Sequence, residues 1–337
     1  MTKIRWGLVG PGNIAHNFAD GMAQSTSGIL VAVASRTKAG ARAFGERHGL
    51  DAARQYSDYR DLCQDPQVDA IHIATPHPFH AEQALMAIRA GKHVSVEKPA
   101  GITAHEVRTL VETAARHRVF FMEAYMYLFH PQIARAVEIL QSGAIGKVRH
   151  IHATFGFKAP YDPHSRLFSQ ELGGGAILDV GGYPVSAARL FAGVAQDRFA
   201  NPESISGDGV IGPSGVVEIA HGVLGFADGI TAQIGCAISR TMENTVHVEG
   251  DQGSLLLPTP WTPGRDGGPS NAQIHVTVGG RRFVEDLHHP EHLFAFEAEA
   301  ASRAIASGRT GHSWPHMCPA ASIGNNLVLE QWRAQIN

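Results

Sequence analysis

Cysteine is scarce and scattered. Cys63, Cys236 and Cys318 are the three in a chain of 337 residues, with no C-x-x-C pair among them. That excludes a disulfide framework and points to buried thiols in a reducing compartment. A strong charge imbalance is also missing, since 28 Lys and Arg against 31 Asp and Glu leave a formal net charge of -3. Neither nucleic acid nor an anionic membrane is therefore an expected partner. No apolar run reaches the roughly 18 residues of a bilayer span. The first apolar strand starts by Ile4, which leaves no room for a secretory leader and makes the cytoplasm the expected location.

Histidine, by contrast, is plentiful, at 20 residues. His77-x-x-His80, His288-His289 and His292 are the sets a metal would use. No Cys or carboxylate cluster accompanies them, so no metal site is expected. With 44% hydrophobic and 18% charged residues, the chain reads as a soluble globular protein of about two domains.

The richest stretch lies at the N-terminus. The strand Ile4–Val9 runs into Gly10-x-Gly12-x-x-Ala15, and a helical pattern follows over 13–23. Gly10 permits a tight turn, Gly12 admits a pyrophosphate close to the backbone, and Ala15 allows close helix–strand packing. Backbone N–H groups at Asn13 and Ile14 would face the phosphates at a positive helix end.

Further strands are expected at 29–34, 69–74, 93–97 and 119–123, apolar on both faces as buried parallel strands are. Helices are expected between them at 38–48, 57–63, 80–90 and 103–117, the last opened by a Thr103/Glu106 capping box. This alternation implies a parallel sheet with right-handed crossovers. From Lys147 the pattern changes to alternating strands at 147–157, 216–226, 229–240 and 243–250, with a hairpin at Gly279-Gly280. The turns at Ala227–Gly229 and Gly250–Gly253 make these runs antiparallel neighbours. Helices are expected at 174–192, 291–307 and 319–334, and a loop from Leu257 to Pro269. The fold class is thus α/β: an N-terminal Rossmann parallel sheet at 1–124, then at 125–337 an α+β domain on a large, predominantly antiparallel open sheet.

The second strand ends Ala34-Ser35-Arg36-Thr37-Lys38, without the carboxylate that grips an NAD ribose. Ser35, Arg36 and Lys38 offer donors and positive charge for a 2′-phosphate, favouring NADP over NAD. A merely solvated basic turn is the plain alternative.

The phrases Thr75-Pro76-His77-Pro78-Phe79-His80 and Ala90-Gly91-Lys92-His93-Val94-Ser95-Val96-Glu97-Lys98-Pro99 resemble the Gfo/Idh/MocA oxidoreductases over nearly the whole chain. Met122–Pro131 and Leu172–Tyr183 resemble its NADP-dependent D-xylose and dimeric trans-dihydrodiol dehydrogenases. The resemblance implies hydride transfer between NAD(P) and a carbohydrate or polyol. It places Thr75, Pro76, His80, Glu97 and Lys98 at the cofactor, with the Lys98–Pro99 bond cis. It also implies a homodimer or homotetramer formed through the C-terminal sheet. The chain departs from the family at His77, where Asn is usual, and carries Tyr183 where many members have His.

Alcohol oxidation removes a hydride from carbon and a proton from oxygen, so a base must sit beside the reacting hydroxyl. The resemblance assigns that work to Tyr183, with Lys98 lowering the phenol pKa and Asp179, four residues before Tyr183, orienting the substrate or Lys98. Lys98 as the proton carrier remains open. Arg166 and His164 are further candidate substrate contacts, and Tyr125 a contact or a wall of the pocket. Three other readings share the scaffold: a dihydrodiol or dicarbonyl oxidoreductase, an aldose–aldose oxidoreductase with tightly held NADP, and a dinucleotide-binding regulator without turnover.

Overall fold

A computed structural model describes residues 2–336. The first part alternates β1 (Ile4–Val9), α1 (Asn13–Ala23), β2 (Gly28–Ala34), α2 (Lys38–Arg47), β3 (Gln55–Tyr56), α3 (Tyr59–Gln64), β4 (Ala70–Ile73), α4 (His80–Arg89), β5 (His93–Glu97), α5 (Ala104–His117) and β6 (Phe121–Ala124). All six strands are parallel, in the order β3-β2-β1-β4-β5-β6. The order reverses direction between β1 and β4, and ligands of such sheets bind at the carboxyl ends of the strands there. β4 is buried at every residue, His72 included, as a strand covered on both faces is. The Thr103/Glu106 capping box at α5 is present in full.

The rest runs α6 (Pro131–Gln141), β7 (Val148–Gly156), α7 (Gly182–Ala192), β8 (Ser204–Ile211), β9 (Val217–Gly225), β10 (Thr231–Ala237), β11 (Val246–Gly250), β12 (Gly253–Leu257), β13 (Ala272–Val278), β14 (Arg281–Leu287), α8 (Leu293–Ala306) and α9 (Pro319–Ala334). The eight strands form one sheet, β14-β13-β12-β11-β7-β10-β9-β8. Its one parallel pair is β7 with β10, and the other neighbours are antiparallel. α7 is buried at every residue because it lies against β7 and β10.

Five features depart from the sequence expectations. α6 was not foreseen, nor was the edge strand β8, and the strand expected over 229–240 leaves the sheet after Ala237. The expected helix over 174–192 begins with a π turn at Ile177–Gly181 before α7. Finally, the last two helices return to the first sheet: α8 packs on α1, β1 and β2, and α9 on α5 and β6. The Trp6 indole donates to Ser302 Oγ at 2.9 Å across that return.

No helix among the described residues is long and apolar enough to cross a membrane.

Candidate active site

The glycine turn at the end of β1 has the shape a dinucleotide requires. Gly10 holds φ at +84°, and a Cβ there would come within 2.5 Å of Thr75 Cγ2. At Gly12 an added Cβ would meet nothing within 4 Å, so the backbone faces open space. Gly12 is also the N-cap of α1, with no side chain capping the helix. Its first N–H groups, including those of partly or fully exposed Asn13 and Ile14, are thereby left for an anion. At the end of β2, Arg36 and Lys38 are exposed and Ser35 is half-buried beside the α2 N-terminus, which Thr37 caps by accepting from Gly40 N–H. A phosphate-bearing dinucleotide fits these donors.

Loops after β4 and β5 form the other side. His80 is fully buried, with Nδ1 2.8 Å from the Pro99 carbonyl and Nε2 2.6 Å from the Thr75 carbonyl, tying the two loops together. Thr75 Oγ1 donates to Gln83, and Pro76 starts the single turn that leads into α4. The Lys98–Pro99 peptide is cis. His77, the family's usual Asn, is buried and donates from Nδ1 to the Gly173 carbonyl at 3.0 Å. Burial and the neighbouring His80 push its pKa down to about 3, so it links the β4 loop to the Gly-rich turn as a neutral ring.

Lys98, Asp179, Tyr183 and Arg166 come together at the carboxyl end of β5. Lys98 Nζ donates to the Asp179 backbone carbonyl at 2.5 Å and stands 3.9 Å from Asp179 Oδ1. Arg166 Nη1 holds the same Oδ1 at 2.7 Å. Burial alone would raise the Asp179 carboxyl, but Lys98 and Arg166 outweigh it and hold the pKa down at about 2. Lys98 is shifted the other way. Burial lowers its pKa, only partly offset by Asp179 and Glu97. Glu97 itself is pushed up to about 7 by burial, against the pull of Lys98.

Tyr183 corrects one expectation. Lys98 Nζ lies over its ring, 5.3 Å from the centroid, while the hydroxyl turns away and donates to Met126 Sδ at 3.3 Å. Burial, then Glu97 and Asp179, raise the phenol pKa well above 10 instead of lowering it. The ammonium lies against the π face of the neutral ring, and burial with the two carboxylates decides the direction of the shift.

Tyr125 lies behind Tyr183, as a wall of the site would. It is fully buried, its hydroxyl accepts from Asn325 Nδ2 at 2.9 Å, and its ring meets Tyr183 edge-on at 5.5 Å. A Cβ on Gly182 would strike that hydroxyl, which explains one glycine of the Gly-rich phrase. His164 is exposed on the loop before that phrase, where its backbone N–H donates to Asp162. Sequence reasoning missed Glu123, whose carboxyl lies behind the Lys98 turn and accepts from Ala100 N–H at 2.9 Å. It sat inside a quoted phrase, but nothing in its spacing marked it.

Residues 4–125 match the family model described as an oxidoreductase family with an NAD-binding Rossmann fold, and residues 133–256 match the GFO/IDH/MocA C-terminal domain. The chain belongs to the Gfo/Idh/MocA oxidoreductases. Within this family it is 35% identical to mouse trans-1,2-dihydrobenzene-1,2-diol dehydrogenase over 77% of this chain and 76% of that one. Among solved structures, a 3-ketoreductase from Actinomadura kijaniata in complex with NADP and TDP-benzene superposes with a TM-score of 0.85 at 27% identity, over 100% of this chain and 98% of that one. The aldose-aldose oxidoreductase of Caulobacter crescentus shares the fold, with a TM-score of 0.88 at 24% identity over 99% and 97% of the two chains. The protein is thus an NAD(P)-dependent oxidoreductase of this family, acting on alcohol or carbonyl groups.

Proposed function

We propose that the protein uses NADP to oxidise a sugar or related secondary alcohol, or to reduce the matching carbonyl, with Lys98 as the proton carrier. The observation that carries this reading is the Lys98 ammonium, buried at the end of β5 between the Asp179 carbonyl and the Tyr183 ring. Burial brings a lysine toward the pKa at which it exchanges protons near neutrality. Asp179, kept ionised by Arg166, holds Lys98 in place. Tyr183 keeps its proton and forms the aromatic wall under the Lys98 ammonium, its hydroxyl spent on Met126.

The glycine turn and the N-terminus of α1 hold the pyrophosphate, and Ser35, Arg36 and Lys38 hold the 2′-phosphate that distinguishes NADP. Thr75, Pro76, His80 and Glu97 shape the nicotinamide end. When bound, the nicotinamide supplies the hydride acceptor or donor. The chain orients the substrate carbon against it and moves the proton.

A second reading is favoured by relatives that are trans-1,2-dihydrobenzene-1,2-diol dehydrogenases, 35% identical in mouse and 31% in zebrafish. In that case the same site takes a cyclic trans-diol.

The test is reduced-nicotinamide formation by the purified protein with NADP or NAD and a panel of D-xylose, D-glucose, myo-inositol and trans-1,2-dihydrobenzene-1,2-diol. Turnover of an aldose with NADP, lost in Lys98→Met, supports the first reading, and turnover of the diol alone supports the second. Tight nucleotide binding without turnover in either direction would favour an aldose–aldose cycle, to be checked with paired sugars, or a regulator.

We also propose that the protein is a homodimer through the face of the second sheet opposite α7. Val223, on β9 between the edge strand β8 and β10 and in register with Ser206 and Gln233, is 46% exposed there. An apolar residue so placed is suited to a partner sheet.

A further inference from the structure

The Lys98 turn has few backbone handles. Pro99 has no N–H, so the first backbone donor after Lys98 is the N–H of Ala100. That N–H is buried and donates to Glu123 Oε1 at 2.9 Å. Glu123 sits on β6, opposite Val96 in the strand register, and is fully buried. The same Oε1 accepts from Asn326 Nδ2 of α9 at 3.0 Å, and Asn326 also donates to the Ser322 carbonyl one turn earlier.

α9 reaches the segment beyond the turn as well, where Glu330 Oε2 accepts from Ala104 N–H at 3.1 Å. The opposite side of the turn is held by His80 against the Pro99 carbonyl at 2.8 Å.

A buried carboxyl is costly, and Glu123 Oε2 has no hydrogen-bond partner among the described residues. An apolar residue would fill the space at less cost unless the turn needs the acceptor. We propose that Glu123 is the positioning residue of Lys98, fixing the Lys98–Pro99–Ala100 turn through the Ala100 N–H and tying it to Asn326 on the C-terminal helix. This rests on the reading of Lys98 as the group at the reacting oxygen. Glu123 touches no reacting atom; it sets where the ammonium stands. Misplacement of a catalytic group by about 1 Å costs roughly a hundredfold in rate, whereas nucleotide and substrate binding depend on other residues.

The test compares Glu123→Ala, Glu123→Gln and Lys98→Met in the full-length protein. The readouts are kcat and KM with NADP and D-xylose or the dihydrodiol, whichever turns over faster, alongside NADPH binding by fluorescence. Glu123→Ala is expected to lose roughly tenfold to a hundredfold in kcat while KM and NADPH affinity stay close to wild type. Glu123→Gln, which keeps an acceptor oxygen, is expected to restore most of the rate. Wild-type kcat in Glu123→Ala overturns the proposal, and so does an equal loss in Glu123→Gln. If Lys98→Met is inactive and Glu123→Ala normal, only the positioning role falls. If Lys98→Met still turns over, the reading of Lys98 falls and takes the proposal with it. Asn326→Ala loosens Glu123 without emptying its place. It carries the same kcat-against-KM split in smaller measure and decides the matter if Glu123→Ala does not fold.

Discussion

Lys98 meets Asp179 through the backbone rather than the carboxylate: its Nζ is 2.5 Å from the Asp179 carbonyl and 3.9 Å from Oδ1. The carbonyl lies in the π turn at Ile177–Gly181, where a partner five residues on would be Pro184, which has no N–H to give. The carboxylate is taken by Arg166 at 2.7 Å. One residue therefore holds two cations with two different groups.

Removing Arg166 tests that division. The Asp179 pKa is held at about 2 against an ordinary 3.8, because Lys98 and Arg166 outweigh burial. A carboxyl depressed on folding stabilises the protein above its unfolded pKa and loses that contribution as pH falls to the folded one. Arg166→Met should therefore lower stability to urea at pH 7 and leave it little changed near pH 2. Equal losses at both pH values would mean the ion pair is not the cause.

Lys98 and Tyr183 separate by pH profile. Lys98→Met is expected to cost roughly 10²–10⁴ in kcat, the usual worth of a general base. Tyr183→Phe removes one hydrogen bond and should cost on the order of tenfold. The limb of the kcat–pH curve that reports the base should survive in Tyr183→Phe and vanish in Lys98→Met. Its disappearance in Tyr183→Phe would make the phenol the carrier.

Arg36 is exposed at the end of β2. A charge-assisted hydrogen bond is worth about 1.5–3 kcal/mol, so Arg36→Ala should raise KM for NADP roughly tenfold or more and leave KM for NAD nearly unchanged. Parallel changes in both would place the 2′-phosphate elsewhere.

Glu97 gives stability an opposite slope. Burial lifts its pKa from 4.5 to about 7, so between those values the folded protein keeps a proton that the unfolded chain has released. Stability from this group falls as pH rises through that window, by on the order of 3 kcal/mol, and is level above it. Measured against Glu97→Gln, wild-type stability should decline between pH 4.5 and 7. A constant difference would show that Glu97 is already ionised in the folded protein.

Val223→Asp addresses assembly. Sedimentation should give twice 36.1 kDa for the wild type and 36.1 kDa for the variant, because a carboxylate buried in the proposed interface lacks a partner. A wild-type monomer would dismiss the dimer.

The parallel sheet was legible because its strands are short apolar runs buried on both faces, separated by capped helices. β8 was not. Ser204–Ile211 carries two glycines and reads as a loop, yet a Cβ at Gly207 would come within 2.6 Å of the Trp332 ring, so a residue on α9 dictates that glycine. α6 begins on Pro131, a residue that reads as a breaker but is tolerated at the first helical position. Within the site, spacing put Asp179 and Tyr183 on one helix face and the family resemblance set them beside Lys98, but the π turn left no mark in the sequence. The direction of the Tyr183 shift is set by burial and by the Glu97 and Asp179 carboxylates, and how deeply a phenol is buried among such groups is something spacing does not carry.

The return of α8 and α9 to the first sheet has a consequence for synthesis. Trp6, on the first strand, finds its hydrogen-bond partner Ser302 only 296 residues later. The nucleotide half thus emerges from the ribosome with the flank of β1 and the back of α5 still uncovered. Its core closes after the second half has been made. Contacts of such sequence separation slow folding and prolong the exposure of apolar surface. Completion of the first half is thereby tied to the arrival of α8 and α9.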